Sequence, residues 1–255
     1  MLTPAVAPVR EIPCRGGVSQ PECPPQACCG EPRKVPVKES PSFRDGRRAG
    51  ADWRYRGCIT REQWLLNETR IVARLRIEDG LSDWEILERN LNQNLFQYPT
   101  ERELKSITCA CCLRLDNLSE DETRRHSLIQ LMVNGTPDQS RQINLYAMMR
   151  TYRVMWEFAT SVLAPKFKTF DHRLEKREIV EFLESLRGQS VDVASWSDAT
   201  LNKIRQVLAK CLVEIGLLEN VRSDVLHPVL LDLELEEAIR ANGDADILPA
   251  FGCLD

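Results

Sequence analysis

Two cysteines, Cys109 and Cys112, have the CxxC spacing of a redox-active or metal-binding thiol pair. A structural zinc site needs four ligands, and neither a second CxxC pair nor two closely spaced histidines accompanies this one. The surrounding residues, Ile107 to Leu113, are predominantly apolar, and a cysteine in such a helix behaves as a small buried hydrophobic residue. We therefore predict no metal site, and thiols in preference to disulfides, because the chain carries no recognisable export signal.

Signatures of other enzymatic chemistry are missing from the sequence. It contains no GxxxxGK[ST] phosphate loop, no GxGxxG, no HExxH and no GxSxG motif. The three histidines, His126, His172 and His227, are far apart in sequence. The acidic run from Glu120 to Glu122 precedes an apolar helical pattern, where stabilising a helix N-terminus is a sufficient role. We predict that the protein is not an enzyme and needs no cofactor.

Composition and charge restrict the class of protein further. The chain has 255 residues, is 43% apolar, and has no stretch approaching the roughly 20 apolar residues of a membrane-spanning helix. A net charge of -4 argues against a protein that coats nucleic acid by charge alone, although local patches can bind phosphate. Residues 141–187 carry nine basic and six acidic side chains, whereas residues 229–255 carry one basic and seven acidic. We predict a cytoplasmic protein without membrane contact.

The pattern along the chain predicts three regions. Residues 1–52 hold nine of the 14 prolines and no apolar period, so we predict a disordered Pro- and Cys-rich extension, with a partner-binding tail as the alternative. Residues 53–164 are predicted to form a helical bundle, and residues 165–255 a winged-helix-like domain with an acidic C-terminal tail. The predicted fold class is therefore mainly α, an N-terminal helical bundle followed by a C-terminal winged-helix-like domain.

Capping signals predict where the bundle helices begin. After a first helix over residues 62–78, the hydroxyl residues Ser82, Thr100 and Ser119 each precede a glutamate by three positions, the capping-box spacing. Thr136 followed by Pro137 places proline at a first helical position, where its missing N–H costs nothing. Short connections between these helices favour antiparallel neighbours.

The last predicted bundle helix is rich in large side chains. Tryptophan, tyrosine and methionine recur between Tyr146 and Phe158 at helical spacing, which indicates core packing and not a cofactor site. This helical stretch is predicted to run to Ala164, with one break at most, and to end at Pro165.

A second set of elements predicts the winged helix. One helix face runs from Leu174 to Leu186, and after Trp196 a longer helix carries apolar residues at helical spacing until Gly216. Apolar residues on either side of the polar turn at Arg222 then predict a hairpin, which ends at Leu231. In such a unit the long helix can enter the major groove while the hairpin follows the DNA backbone.

Polar and basic residues of this unit are the predicted DNA contacts. They are Ser197, Thr200, Asn202, Lys203 and Arg205 on the long helix, Arg222 in the hairpin, and Lys166, Lys168 and Arg173 in the basic stretch before it. That basic stretch, which also contains Lys176 and Arg177, matters because counterion release needs several cationic contacts in one footprint. The alternative is a winged helix that serves only protein interaction, because the segment that contains the long helix carries no net positive charge.

Several blocks of the sequence together resemble one known family. They are Leu66–Ala73 (LNETRIVA), the Trp84 helix with Asn90-Leu91, Tyr152–Phe158, and Trp196–Thr200 (WSDAT) leading to Gly216-Leu217-Leu218. Over residues 57 to about 252 the chain resembles the BrxA family, small proteins encoded in BREX phage-exclusion loci. The Pro- and Cys-rich extension lies outside this resemblance.

The resemblance implies a helical N-terminal domain, a C-terminal winged helix and binding of double-stranded DNA. It also implies work in bacterial antiviral defence beside a methyltransferase, an alkaline-phosphatase-like protein and a large ATPase. It supplies no catalytic residues to transfer.

Two hypotheses of different class therefore stand. The first is a non-catalytic double-stranded DNA-binding accessory protein of a BREX-type system. The second is a protein–protein scaffold of the same defence complex without direct DNA contact, in which the winged helix and the acidic residues Asp232, Glu234, Glu236 and Glu237 hold partners. A sequence-specific repressor is disfavoured, because no helix shows the sustained heptads of a dimerisation coil.

Overall fold

The chain from Trp53 to Cys253 is the part that the structure, a computed structural model, describes. Within residues 53–253 the backbone is mainly helical and forms no regular β-strand. This confirms the mainly α class predicted from the sequence. The predicted extension over residues 1–52 lies outside the described residues.

Six helices follow one another in the first part of the described chain. They are α1 (Ile59–Glu62), α2 (Leu66–Ile77), α3 (Asp83–Gln93), α4 (Glu101–Asp116), α5 (Glu122–Asn134) and α6 (Pro137–Thr151). The predicted caps at Ser82, Thr100 and Thr136 are confirmed, because each hydroxyl accepts the backbone N–H three residues later. At α3 and α6 the third residue bonds back to the cap, which completes a capping box.

The predicted start of α5 at Ser119 is wrong. The helix begins two residues later behind Asp121, whose carboxylate accepts the backbone N–H of Arg124 at 2.7 Å. Ser119 is buried, and its hydroxyl donates to the Asn242 side chain at 2.7 Å. The Ser119 oxygen accepts the backbone N–H of Asp121 at 3.1 Å, two residues later, and so does not serve as the predicted cap.

The predicted first helix over residues 62–78 is interrupted at Leu65, which has a left-handed backbone with φ of 46°. A buried guanidinium explains the interruption. Arg114 on α4 is 0% exposed and donates to the carbonyl oxygens of Glu62, of Gln63 at 2.6 Å and of Trp64 at 2.8 Å. These carbonyls would otherwise continue the helix, and Asn144 also donates to the Trp64 carbonyl at 2.8 Å, so two side chains hold the segment between α1 and α2 open.

The aromatic- and methionine-rich stretch is buried, which confirms that it belongs to the core. It spans the end of α6 and α7 (Arg153–Phe158), and a π-helical turn (Ala159–Leu163) then leads into α8 (Ala164–Lys168). Pro165 was predicted to end the helix, and this is wrong. The π-helical turn resets the hydrogen-bond register, so that Pro165 lies in the first turn of α8, where no N–H donor is required.

The remaining elements are α9 (Lys176–Gln189), α10 (Val191–Ala194), α11 (Asp198–Glu214), α12 (Leu233–Ala241) and a 3₁₀ helix (Ala245–Phe251). The residues between α11 and α12 do not form the regular hairpin expected from the sequence. They make one isolated antiparallel bridge, Arg173 with Val225, and His227 donates its backbone N–H to the Leu217 carbonyl at 3.0 Å. Pro228 has no N–H to extend this pairing.

The C-terminal elements pack back onto the bundle. The 3₁₀ helix contacts α8 and the π-helical turn, and α12 contacts α5. Asp244, buried just before the 3₁₀ helix, accepts the Tyr146 hydroxyl at 2.8 Å and pairs with the Arg150 guanidinium. One hydrophobic cluster runs from Tyr55 to Phe251, and the domain boundary near residue 165 stays a prediction.

Candidate nucleic-acid interface

Helix α11 presents one face to the core and the other to solvent. Leu201, Ile204, Leu208, Leu212 and Ile215, the apolar stripe predicted from the sequence, are all buried. The helix begins behind Ser197, whose hydroxyl accepts the Thr200 backbone N–H at 3.2 Å. Its polar residues are consequently displayed outward in a fixed orientation.

The first turn of α11 is largely committed to its own structure. The Ser197 and Thr200 hydroxyls lie 3.0 Å apart and share one hydrogen bond. Asp198, also exposed, pairs with Arg187 of α9 at 2.9 Å. The start of the helix therefore offers a carboxylate and two engaged hydroxyls, which is a poor surface for a phosphate group.

The middle of α11 is different, because it borders a cationic groove. This groove has a volume of about 390 Å³ and is lined by four basic side chains, Lys176, Lys203, Arg205 and Lys210, and by no carboxylate. Over the described range the three lysines form no ion pair, and Arg205 donates to the Asn202 side-chain oxygen at 2.7 Å. The groove thus collects positive charge that the protein does not neutralise itself.

The groove brings together two of the predicted contacts, Lys203 and Arg205, with Asn202 beside them. Lys210 was not predicted as a contact, and Lys176 was noted only as part of the basic stretch. The seven-residue spacing from Lys203 to Lys210 is two helical turns and places both on one face, so this spacing was the available signal. Lys176 starts α9, and only the packing of α9 beside α11 brings it to the groove.

Three other predicted contacts lie outside the groove. Arg222 is exposed in the connection after α11. Lys168 is exposed and lines a separate concavity with Trp156. Arg173 is exposed and pairs with Asp224 at 2.8 Å, across the isolated bridge. Their role in DNA binding stays a prediction.

Lys166 occupies a different environment from the one that a DNA contact needs. It is 8% exposed, and its ammonium bonds Asp171 at 2.8 Å, Glu178 at 2.7 Å and the Arg173 carbonyl. Burial alone would lower the pKa of Lys166, but its hydrogen bonds to the two carboxylates outweigh burial and raise the pKa. All three ammonium protons have partners inside the protein, so Lys166 is not counted in the interface proposed below.

Two of the three cysteines of α4 are core residues, as predicted, whereas Cys109 is half-buried. Cys111 and Cys112 are fully buried, and burial raises the pKa of Cys111 to about 12, which keeps it a thiol. In the described part of the chain no group of three or more His, Cys, Asp or Glu side chains could hold a metal ion. Over the same residues no helix combines the length and apolar character needed to cross a membrane.

The fold and the groove together define a class of protein. Its members are mainly helical and carry a cationic groove beside a helix that has one face on the surface. The BrxA family model matches residues 53–243, and the chain belongs to the BrxA family. The BREX protein BrxA of Bacillus cereus (strain H3081.97) is 32% identical over 191 residues, which is 74% of this chain and 92% of the relative. The BREX protein BrxA of Escherichia coli O9:H4 (strain HS) is 25% identical over 185 residues, 72% of this chain and 83% of the relative.

A solved structure shares the fold. The crystal structure of an uncharacterized protein from Magnetospirillum magneticum superposes with a TM-score of 0.62 at 22% sequence identity. The match covers 78% of this chain and 98% of that protein. The helical architecture is therefore one that an experimentally determined protein also adopts.

Proposed function

We propose that this protein is a non-catalytic accessory protein of a BREX phage-defence system that binds double-stranded DNA in the bacterial cytoplasm. Family membership supports the BREX context, in which the other BREX proteins, a methyltransferase, a phosphatase-like protein and an ATPase, would be its partners. One observation carries the DNA-binding part of the proposal, namely the groove lined by four basic side chains and no carboxylate.

The order of elements supports a reduced winged helix around this groove. Helix α8 is followed by residues 172–174, which exchange backbone hydrogen bonds with residues 224–226: the Leu174 N–H donates to the Asp224 carbonyl at 2.7 Å, and Leu226 donates to His172 at 2.8 Å. Residues 217 and 227 form the next pairing, after α9 and α11. The winged-helix order is a helix, a strand, two helices and two strands, and the chain follows it with very short pairings and with the one-turn helix α10 added between α9 and α11.

Charge placement determines how the DNA would lie. Lys203 and Lys210 are separated by about 10 Å along the axis of α11. Because the start of α11 carries Asp198, the duplex backbone would cross the middle of the helix, at the mouth of the groove. Four cationic contacts predict that the logarithm of the binding constant falls with the logarithm of salt concentration with a slope of about -3 to -4.

The test measures binding of a labelled duplex by fluorescence anisotropy across a series of salt concentrations. The double variant Lys203→Gln with Arg205→Gln should weaken binding by roughly tenfold or more and reduce the salt slope by about two. The matched control is Arg74→Gln with Lys105→Gln, which changes the net charge equally at exposed positions of α2 and α4. Thermal melting of both variants checks that the fold is intact.

Equal loss of affinity in both double variants would mean that only net charge matters and would remove the groove from the interface. The scaffold hypothesis would be favoured if the wild-type protein does not bind the labelled duplex even at low salt but co-purifies with neighbouring BREX proteins. A duplex binding constant that does not respond to salt would equally contradict phosphate contacts.

A further inference from the structure

Helix α12 presents carboxylates and apolar side chains together at the protein surface. Glu234 and Glu237 are exposed, and their side chains form no hydrogen bond or ion pair within residues 53–253. Leu233 is 69% exposed and lies within about 100° of both carboxylates around the helix axis. Two like charges one turn apart repel each other, so a cationic partner would stabilise them. We call the surface formed by Leu230, Leu233, Glu234 and Glu237 the acidic face.

Leu230, which precedes α12, is held with its side chain in solvent. Its carbonyl oxygen accepts the Gln142 side-chain amide at 2.9 Å, and the Gln142 side-chain oxygen accepts the Asp232 backbone N–H at 2.9 Å. These bonds fix the backbone on both sides of Leu231, which is buried, whereas Leu230 is 94% exposed. An apolar side chain that the fold holds outward is suited to contact another protein surface.

The segment that carries the acidic face has a negative charge that the protein does not neutralise. Residues 229–253 contain six acidic side chains and one basic. The basic residue, Arg240, bonds Glu236 at 2.8 Å, and Asp244 pairs with Arg150 of the bundle. The carboxylates that remain without a paired cation in the described chain are Asp232, Glu234, Glu237 and Asp246.

The cationic groove beside α11 is complementary to the acidic face in charge and in polarity. Lys176, Lys203 and Lys210 have no ion-pair partner in the described chain, and no carboxylate lines the groove. Its wall also contains apolar side chains, of which Val221 is 54% exposed. An acidic helix face bordered by leucines would meet both opposite charge and an apolar contact in this one concavity.

We infer that α12 of one copy of this chain binds in the cationic groove of a second copy. Glu234 and Glu237 would pair with the groove lysines, and Leu233 would contact Val221. Within one molecule α12 packs on α5 and on the 3₁₀ helix, and no residue of α12 lines the groove. Because the two surfaces are different, the interface is heterologous, and copies add head to tail unless they close into a ring.

Duplex DNA and the second copy would compete for the same basic side chains. This consequence rests on the function proposed above, whereas the self-association rests on the two protein surfaces alone. By mass action, occupation of the groove by a second copy would lower the apparent affinity for DNA as the protein concentration rises. The acidic face would thus regulate access of DNA to the groove.

Sedimentation velocity of the full chain without DNA, over a range of protein and salt concentrations, measures the self-association. We expect oligomers that grow with protein concentration and dissociate as salt is raised, because salt screens the paired charges. Glu234→Gln with Glu237→Gln should weaken the association by roughly tenfold or more, and so should Lys203→Gln with Arg205→Gln.

The matched control for the acidic-face variant is Glu88→Gln with Glu101→Gln, which changes the net charge equally at exposed positions of α3 and α4. This control should associate like the wild type. Thermal melting of all the variants checks that the fold is intact.

Mixing the two defective double variants tests the heterologous geometry. The acidic-face variant retains an intact groove, and the groove variant retains an intact acidic face. An equimolar mixture should therefore form a dimer that cannot grow further, although neither variant associates alone.

Three results would overturn the inference: a wild-type chain that stays monomeric at low salt, oligomers that survive in both double variants, or a mixture of the variants that stays monomeric. Duplex anisotropy separates these results from a failure of the proposed function. A wild-type chain that self-associates as expected but does not bind the duplex would contradict DNA binding and leave the inference standing. The acidic-face variant should bind the duplex at least as tightly as the wild type, and weaker binding would contradict the predicted competition.

Discussion

Charged side chains inside the bundle and charged side chains along α11 differ in how completely the protein satisfies them. Arg114 has four acceptors in its surroundings: three backbone carbonyls and the Tyr152 hydroxyl, to which its Nη2 lies at 3.2 Å. Arg150 likewise pairs with buried Asp244. By contrast, Lys203 and Lys210 on α11 have no partner anywhere in the described chain.

The difference separates structural charge from charge that is available to a ligand. A buried guanidinium without its acceptors would cost several kcal/mol, so its partners are part of the fold. An exposed ammonium costs little when it stands alone, and several of them in one concavity create a field that attracts an anion. Substitutions should therefore affect unfolding in the first region and DNA affinity in the second.

The largest expected effect is on Arg114. Arg114→Met should lower the free energy of unfolding by about 3 to 5 kcal/mol, because three backbone carbonyls and the Tyr152 hydroxyl lose their donor. Urea denaturation followed by circular dichroism measures the loss. The matched change Arg205→Met on α11 should stay within about 0.5 kcal/mol.

Should Arg114→Met fail to fold, Tyr152→Phe provides the same test with a smaller loss of about 1 to 2 kcal/mol. It removes the hydroxyl that bonds Glu62 at 2.6 Å. Comparable stability losses at Arg114 and Arg205 would contradict the distinction between the two regions.

A somewhat smaller effect is expected for the ion pair between Arg150 and Asp244. Asp244→Asn should lower the free energy of unfolding by about 2 to 3 kcal/mol, because it leaves a buried guanidinium without a counter-charge. Asp138→Asn, which breaks an exposed pair with Arg141 at 2.8 Å, should cost less than about 1 kcal/mol. Hydrogen exchange at the Ile247 amide, which donates to the Asp244 carbonyl, should accelerate in the Asp244 variant alone.

The smallest expected effect separates capping from DNA contact at Ser197. Ser197→Ala should lower the free energy of unfolding by about 1 kcal/mol through loss of the α11 cap. Ser197→Asp keeps a capping oxygen and should recover most of that stability. If Ser197 also lies near phosphate, the added charge in Ser197→Asp should weaken duplex binding; unchanged affinity would restrict Ser197 to capping.

Local patterns predicted much of the helical architecture. The caps at Ser82 and Thr100 and the buried stripe of α11 depend on residues three or four positions apart, which a single sequence displays. The break at Leu65 could not be predicted in this way. It depends on Arg114, about 50 residues further along the chain, and no local pattern shows where that guanidinium will be buried.

The candidate interface was only partly predictable for the same physical reason. Lys203 and Arg205 were identifiable as surface residues because they flank the apolar stripe of α11, and both are half-buried in the structure. Lys166 looked identical to its basic neighbours in sequence, and the acceptors that enclose it include Glu178, twelve positions away on another helix.

The pairing of Arg150 with Asp244 also constrains how the protein emerges during translation. The two residues are separated by 94 positions, so the guanidinium leaves the ribosome long before its carboxylate exists. Until synthesis reaches the 3₁₀ helix, the nascent bundle holds a cation that it cannot bury without penalty. Completion of this part of the core is thereby deferred until the segment that carries Asp244 has been synthesised.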